Sequence, residues 1–311
     1  MKRVQLLITL LVSVLMLSTS ANVSAQKTLT VQSGFTGSTA DTYATIGEAI
    51  NAAYGTNQNV TIIVKEGTYK EKVSYNQNGS GRKVVLASEF FLDGDATHIG
   101  KTIINGSGVT QRNTNDALVA TYGNNGDTSY FKLIGVTIDS ASQYGLDITA
   151  GQVSNCILKN SGSIGTIPFF FRGTKIKNVT VFNNIGVSIF AFQGVGSEAV
   201  DARNWLVENS TFYNNKALSQ NSSSDNRGGP WTQTGIGAII WSTSNTTGTL
   251  SNNIFYNNNC FFIIRESHLY PGLLKTSRND LQFKSSKLQN SLQFSHAPVF
   301  RFLSDGKEHF P

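Results

Sequence analysis

The chain has 311 residues, 29 glycines, 5 prolines, 2 cysteines and only 14% charged residues, which excludes a disordered polyelectrolyte and a disulfide scaffold and disfavours helical bundles, whose solvent faces are written in Glu, Lys and Arg. Of the formal charge of +6, Lys2 and Arg3 supply +2 and residues 261–311, with seven Lys or Arg against four Asp or Glu, supply +3. The body is left at +1, so overall charge gives no support for nucleic acid or another polyanion as partner.

Lys2 and Arg3 precede an apolar run over 6–17, and small residues lead to Val23, Ser24 and Ala25, the layout of a secretory signal peptide cleaved after Ala25. The alternative, an uncleaved anchor, needs roughly 20 apolar residues, and the run is shorter. No later segment has the length and apolarity of a membrane span, and the mature chain is expected to be secreted or at the cell surface, as a monomer.

Residues 45–54 (TIGEAINAAY) carry Ile46, Ala49, Ile50 and Ala53 at helical spacing and predict a short amphipathic helix, followed by a strand over 60–64 and a turn at Gly67. Residues 99–106 (IGKTIING) read as a degenerate coil anchored by Ile104. Five segments then align without gaps: 133–140 (LIGVTIDS), 153–160 (VSNCILKN), 176–183 (IKNVTVFN), 207–214 (VENSTFYN) and 250–257 (LSNNIFYN). Position one is aliphatic, position three is Gly or Asn, position six is apolar, and position eight is Ser or Asn. This pattern predicts a strand, a one-residue corner at position three and a second strand, repeated in stacked coils, with the corner Asn in the left-handed region and its amide bonded to the next coil. Positions four and six then point inward, and five and seven face solvent.

A Gly-led apolar strand follows four of the segments, near Gly145, Gly165, Gly186 and Gly235. The sixth-position anchors lie 20, 23, 31 and 43 residues apart, so a coil takes about 20 to 23 residues and the excess falls in loops near 194–203 and 216–234. A helix at the N-terminal end would cover unpaired backbone at the open end of the stack. Cys156 and Cys260 lie three coils apart, roughly 14 Å against a disulfide limit of roughly 7 Å, and are expected as free thiols. Beyond 260 the pattern breaks. Residues 261–311 hold two of the 29 glycines, three of the four His and no Asn segment, and the Gly-led strand expected after Asn257 is missing. That segment reads either as a C-terminal cap or as a truncated or frameshifted end.

Residues 44–73, with Gly67, Tyr69 and Glu71 in a Gly-x-Tyr-x-Glu pattern, resemble the opening of pectin methylesterases, and 86–108 is similar to a segment of secreted bacterial β-helix proteins of unassigned activity. With the coil repeat, 27–260 resembles the right-handed parallel β-helix proteins of the pectin lyase-like superfamily. The implied fold is all-β: a right-handed single-stranded parallel β-helix over 26–260, with a short N-terminal capping helix, a signal peptide over 1–25 and an atypical segment over 261–311. For activity the resemblance implies two catalytic Asp with Gln and Arg partners in the esterases, but neither Gln-Asp-Thr nor Asp-Phe-x-Phe-Gly is present. Asn113-Thr114-Asn115-Asp116 is not the Asn-Thr-Asp segment of polygalacturonase-like hydrolases, and no adjacent Asp pair exists. Pectate lyases of this superfamily use Ca2+ held by carboxylates, with a Lys or Arg base; a lyase reading of this chain therefore carries Ca2+ with it.

The nearest constellation for β-elimination, which needs a base and a cation, is Asp201 and Arg203 with Glu198 nearby. A solvated ion pair is the competing reading. His98, His268, His296 and His309 have no metal-ligand spacing. Outward position seven reads Asp139, Lys159, Phe182, Tyr213 and Tyr256, a column of three aromatics whose faces suit sugar rings. The loop over 219–231 adds Asp225, Arg227 and Trp231, and Trp205 and Trp241 flank the same coil. The competing reading packs the column under those loops as a satellite core. The expected function is extracellular carbohydrate binding, with a polysaccharide or cell-surface glycan as partner and with lyase-like depolymerisation as an added activity. The alternative is a non-catalytic structural or adhesion module at the cell surface.

Overall fold

The computed structural model describes residues 26–37, 39–76, 83–111, 116–122, 130–193, 204–218, 237–242, 246–260, 262–266, 274–282, 300–304 and 307–308. Its strands stack in parallel as a right-handed parallel β-helix. The first-position anchors pair Leu133 to Val153, Val153 to Ile176, Ile176 to Val207 and Val207 to Leu250. The sixth-position anchors run from Ile104 through Ile138, Leu158, Val181 and Phe212 to Phe255. Both columns are buried, because parallel strands bury what repeats on one face and a one-residue slip would turn every anchor to solvent. Across the core stands a second parallel sheet made of Val73–Asn76, Val119–Tyr122, Leu146–Thr149, Phe169–Arg172, Ser188–Phe192, Ala238–Ser242 and Phe262–Glu266. Phenylalanines join the two: Phe190 of the second sheet meets Phe212 of the first edge-on at 5.0 Å. After Asn257 a strand without a leading glycine, Phe262–Glu266, pairs to Ala238–Ser242.

Each coil has two left-handed corners in this region where the spacing predicts one. Position three holds Gly135 at φ 69° and Asn155, Asn178, Asn209 and Asn252 at 51–53°. Position eight does the same with Ser140, Asn160, Asn183, Asn214 and Asn257 at 51–56°. Asn dominates both because its short amide tolerates the left-handed region. Corner amides do reach their neighbours, as in Asn178 Nδ2 to Asn155 Oδ1 at 3.3 Å. The fuller ladder lies one residue past the second corner, inside the coil. Asn184 Nδ2 donates to Asn215 Oδ1 and Asn215 Nδ2 to Asn258 Oδ1, both at 3.0 Å, and each amide also donates to a backbone carbonyl.

Helix α1 (Ile46–Tyr54) closes the N-terminal end, with Ile46, Ala49, Ile50 and Ala53 buried and a capping box between Thr45 and Glu48. The Glu of the Gly-x-Tyr-x-Glu pattern serves this cap. Glu71 accepts from the backbone N–H groups of Ile46 and Gly47, each at 2.9 Å, placing a carboxylate at the positive end of the helix. Tyr69 donates to the Lys65 carbonyl at 2.9 Å. Residues expected to form one early coil divide instead: Ile104 sits in the strand Thr102–Asn105, while α3 (Thr97–Lys101) follows a single turn, α2 (Phe90–Asp93). These two helices lie on the outer face of the coil. Thr137, expected to face solvent, is buried beneath them and donates to the Ile99 carbonyl at 2.7 Å.

Cys156 and Cys260 are buried free thiols, and burial pushes both up to about 12. Among the described residues no helix is long and apolar enough to cross a membrane.

Candidate functional site

Positions five and seven of the trailing strands form an outward strip. Its aromatic column is in register, Phe182 beside Tyr213 and Tyr213 beside Tyr256, and all three side chains are half-buried. The rings do not turn their faces outward. Phe182 and Tyr213 stack with centroids 4.7 Å apart and planes 9° apart; Tyr213 and Tyr256 stack at 5.1 Å and 6°. In-register stacking follows from identical strand positions one coil apart, where rotamers repeat and each ring covers its neighbour. Solvent therefore meets a row of ring edges. Burial, with a smaller contribution from Tyr256, pushes the Tyr213 hydroxyl above its ordinary value, so it remains a hydrogen-bond donor at neutral pH. Beside the column run Thr180, Thr211 and Ile254, the last 44% exposed. Toward the N-terminus the column continues as Lys159, paired to Asp139 at 3.5 Å, and ends where α2 and α3 cover the face.

The other predicted groups separate. Asp201, Arg203 and Trp231, with Glu198, Asp225 and Arg227, lie outside the described residues. Trp205 and Trp241 are both buried. Trp205 is 3% exposed, stacks on Phe192 at 4.3 Å and donates from Nε1 to Ser242 Oγ at 3.3 Å. A Cβ on Gly248 would stand 1.9 Å from the Trp205 ring, so that glycine is required by the indole. Trp241 packs in a small buried cluster with Ile167, Phe170, Ala191 and Ala238.

A charged pair that the sequence reading passed over stands on the outer side of the second sheet. Asp147 is fully buried, and Arg172 Nη1 donates to its Oδ1 at 2.7 Å and to Thr149 Oγ1 at 3.3 Å. The same guanidinium lies 4.5 Å over the Phe170 ring. Thr149 and Arg172 are register partners on adjacent coils, which places the carboxylate and the cation side by side. The signal was an Asp inside an otherwise apolar strand (GLDI, 145–148) and an Arg ending the next one (FFFR, 169–172). A buried carboxylate beside a guanidinium suits binding or charge stabilisation. Glycoside hydrolysis by the usual route needs a second carboxyl group across the scissile bond. Calcium takes six to eight oxygen ligands; among the described residues no group of three or more His, Cys, Asp or Glu could hold a metal ion.

No protein-family model matches the chain, and no curated protein sequence does. Solved structures do match. A pectin methylesterase from Aspergillus niger in deglycosylated form is 16% identical, over 88% of this chain and 90% of that one, with a TM-score of 0.52. The penultimately deglycosylated form of the enzyme gives 15%, 89%, 93% and 0.51. At this identity the likeness establishes the fold. In this chain Glu71 of the Gly-x-Tyr-x-Glu pattern is occupied in docking α1, and Tyr69 in bonding the Lys65 carbonyl.

Proposed function

We propose that this chain is an extracellular polysaccharide-binding β-helix whose contact surface is the outward strip centred on Phe182, Tyr213 and Tyr256. The observation that carries the reading is the half-buried, in-register stack of three rings on a flat strand face. Its rings repeat along the helix axis at the height of one coil, and two of the three edges end in hydroxyls. Such a row suits a linear glycan lying along the axis, with its hydroxyls meeting phenol edges and its apolar patches meeting Thr180, Thr211 and Ile254. Ring-face stacking, the mode expected from sequence, is not the contact this geometry offers, since the inner faces cover one another. The export signal over 1–25, which lies outside the described residues, supports a place outside the cytoplasm.

The test is Tyr213→Phe combined with Tyr256→Phe, which removes both hydroxyls and keeps the stack. Binding to a panel of neutral and acidic polysaccharides, measured by affinity electrophoresis and calorimetry, should be saturable in the native chain. It should weaken by about tenfold in the double variant, as loss of two hydrogen bonds predicts, with an unchanged unfolding curve. Undiminished binding in the double variant would overturn the assignment of the strip. Depolymerisation is a second reading, and the observation favouring it is the buried Asp147–Arg172 pair on the other sheet. An assay for unsaturated uronate or reducing-end products, with Asp147→Asn as control, decides it. Silence in both binding and product assays would favour the structural or adhesion module.

A further inference from the structure

One imidazole joins the α2–α3 insertion to the coil at two carboxylates. His98 Nδ1 lies 2.8 Å from Glu66 Oε1, in the turn before the strand Gly67–Tyr69, and Nε2 lies 3.0 Å from Asp93 Oδ2 in α2. The ring is 17% exposed. Each ring nitrogen thus faces a carboxylate. A neutral imidazole has one N–H and would turn a lone pair toward the other carboxylate, whereas the imidazolium donates to both.

We propose that His98 is a pH-sensitive latch that holds the α2–α3 insertion against the outer face of the coil when protonated and loosens it when the proton leaves. This goes beyond the glycan reading and does not depend on it.

The surroundings favour the charged ring. From the turn comes Glu66, which Lys101 of α3 also approaches at 3.2 Å; from α2 comes Asp93, and between the helices Asp95 accepts from the Thr97 N–H at 2.9 Å. The strand Thr102–Asn105 brings no titratable side chain, and Asp139 of the strand Thr137–Asp139 is engaged by Lys159 and Asn160. At the head of the insertion Glu89 pairs with Lys65 at 2.7 Å. Desolvation works against the charge on His98, but Asp93 and Glu66 outweigh it and the net shift is upward. A raised folded-state value means that the latch acts fully below the ordinary His value of about 6.5 and is lost as pH rises through the higher folded value. Release frees the insertion from Thr137, whose hydroxyl now donates to the Ile99 carbonyl, and so lengthens the exposed outward strip by one coil.

The experiment follows the full chain by NMR of the His98 ring and by amide hydrogen exchange from pH about 6 to about 9, corrected for intrinsic exchange. His98 should titrate above the ordinary histidine range, and Glu66→Gln with Asp93→Asn should bring the midpoint back down. Protection over 90–101 should fall by about tenfold across its midpoint, while the core strands keep theirs. His98→Gln should show the low protection at every pH. Insertion protection that stays level with pH in the native chain, a His98 midpoint at or below the ordinary value, or acid-level protection in His98→Gln would each overturn the proposal. The first two readings use the native sequence, so they decide the matter even if a variant folds poorly.

Discussion

Replacing Asn215 by Ala tests the inner ladder. Asn215 is 1% exposed, and its side chain makes four hydrogen bonds: Nδ2 to the Val181 carbonyl at 2.9 Å and to Asn258 Oδ1 at 3.0 Å, and Oδ1 from the Asn184 N–H at 3.1 Å and Asn184 Nδ2 at 3.0 Å. Each bond is worth about 1 kcal/mol net, and the deletion also leaves buried partners without it, so the expected cost is about 3 to 5 kcal/mol. That is a large fraction of the roughly 5 to 15 kcal/mol that holds a domain together. Asn178→Ala is the internal comparison. It removes a corner amide bonded to Asn155 at 3.3 Å and puts Ala at φ 53°, for about 1 to 2 kcal/mol. Urea unfolding, with both variants sharing the native m-value, reads the two numbers. If Asn215→Ala cost no more than Asn178→Ala, the idea that the interior amides carry the stack would fail.

Val181→Asp places a carboxylate in the fully buried sixth-position column, at a cost of several kcal/mol, and the thermal transition should fall far below the native one; a near-native melting curve would contradict the register. With burial holding both thiols at about 12, the native chain should react slowly with a thiol reagent near neutral pH, and a denatured, unreduced sample should react at both Cys156 and Cys260. Tyr213→Ala breaks two ring stacks at about 0.5 to 1.5 kcal/mol each, so it should destabilise by about 1 to 3 kcal/mol; a neutral melting curve would mean that the rings are independent surface groups.

The inward columns were legible because repetition makes burial additive: Leu133, Val153, Ile176, Val207 and Leu250 can share a face only if the coils stack in one register. The cap was legible from the spacing of Ile46, Ala49, Ile50 and Ala53. The inner ladder was hidden by its own composition. In Asn183-Asn184, Asn214-Asn215 and Asn257-Asn258, two adjacent amides serve opposite purposes, one forming a corner and the next pointing inward, and in the earlier coil Ser161 stands in the inward place. Alternation tells which side of a strand Tyr213 occupies, but not how its ring turns about its own bonds. That torsion decides whether a glycan meets a face or an edge. Thr137 was misplaced for a different reason, since its cover arrives from 97–101, nearly 40 residues upstream. Asp147 and Arg172 needed the pairing of two coils before they read as one group.

The distance along the chain from Val181 to Phe212 is 31 residues and from Phe212 to Phe255 is 43, yet both pairs are direct neighbours in the sheet. Loop-closure entropy grows only as the logarithm of length, about 0.6 kcal/mol for each doubling. The stack is therefore nearly indifferent to what is inserted between its strands. Sequence between the anchors could be exchanged or lengthened with the anchors left untouched, which separates the part of the molecule that can vary freely from the part it must keep. A screen that lengthens the chain between Phe212 and Phe255 should return folded proteins at a far higher rate than one that randomises the same number of strand positions.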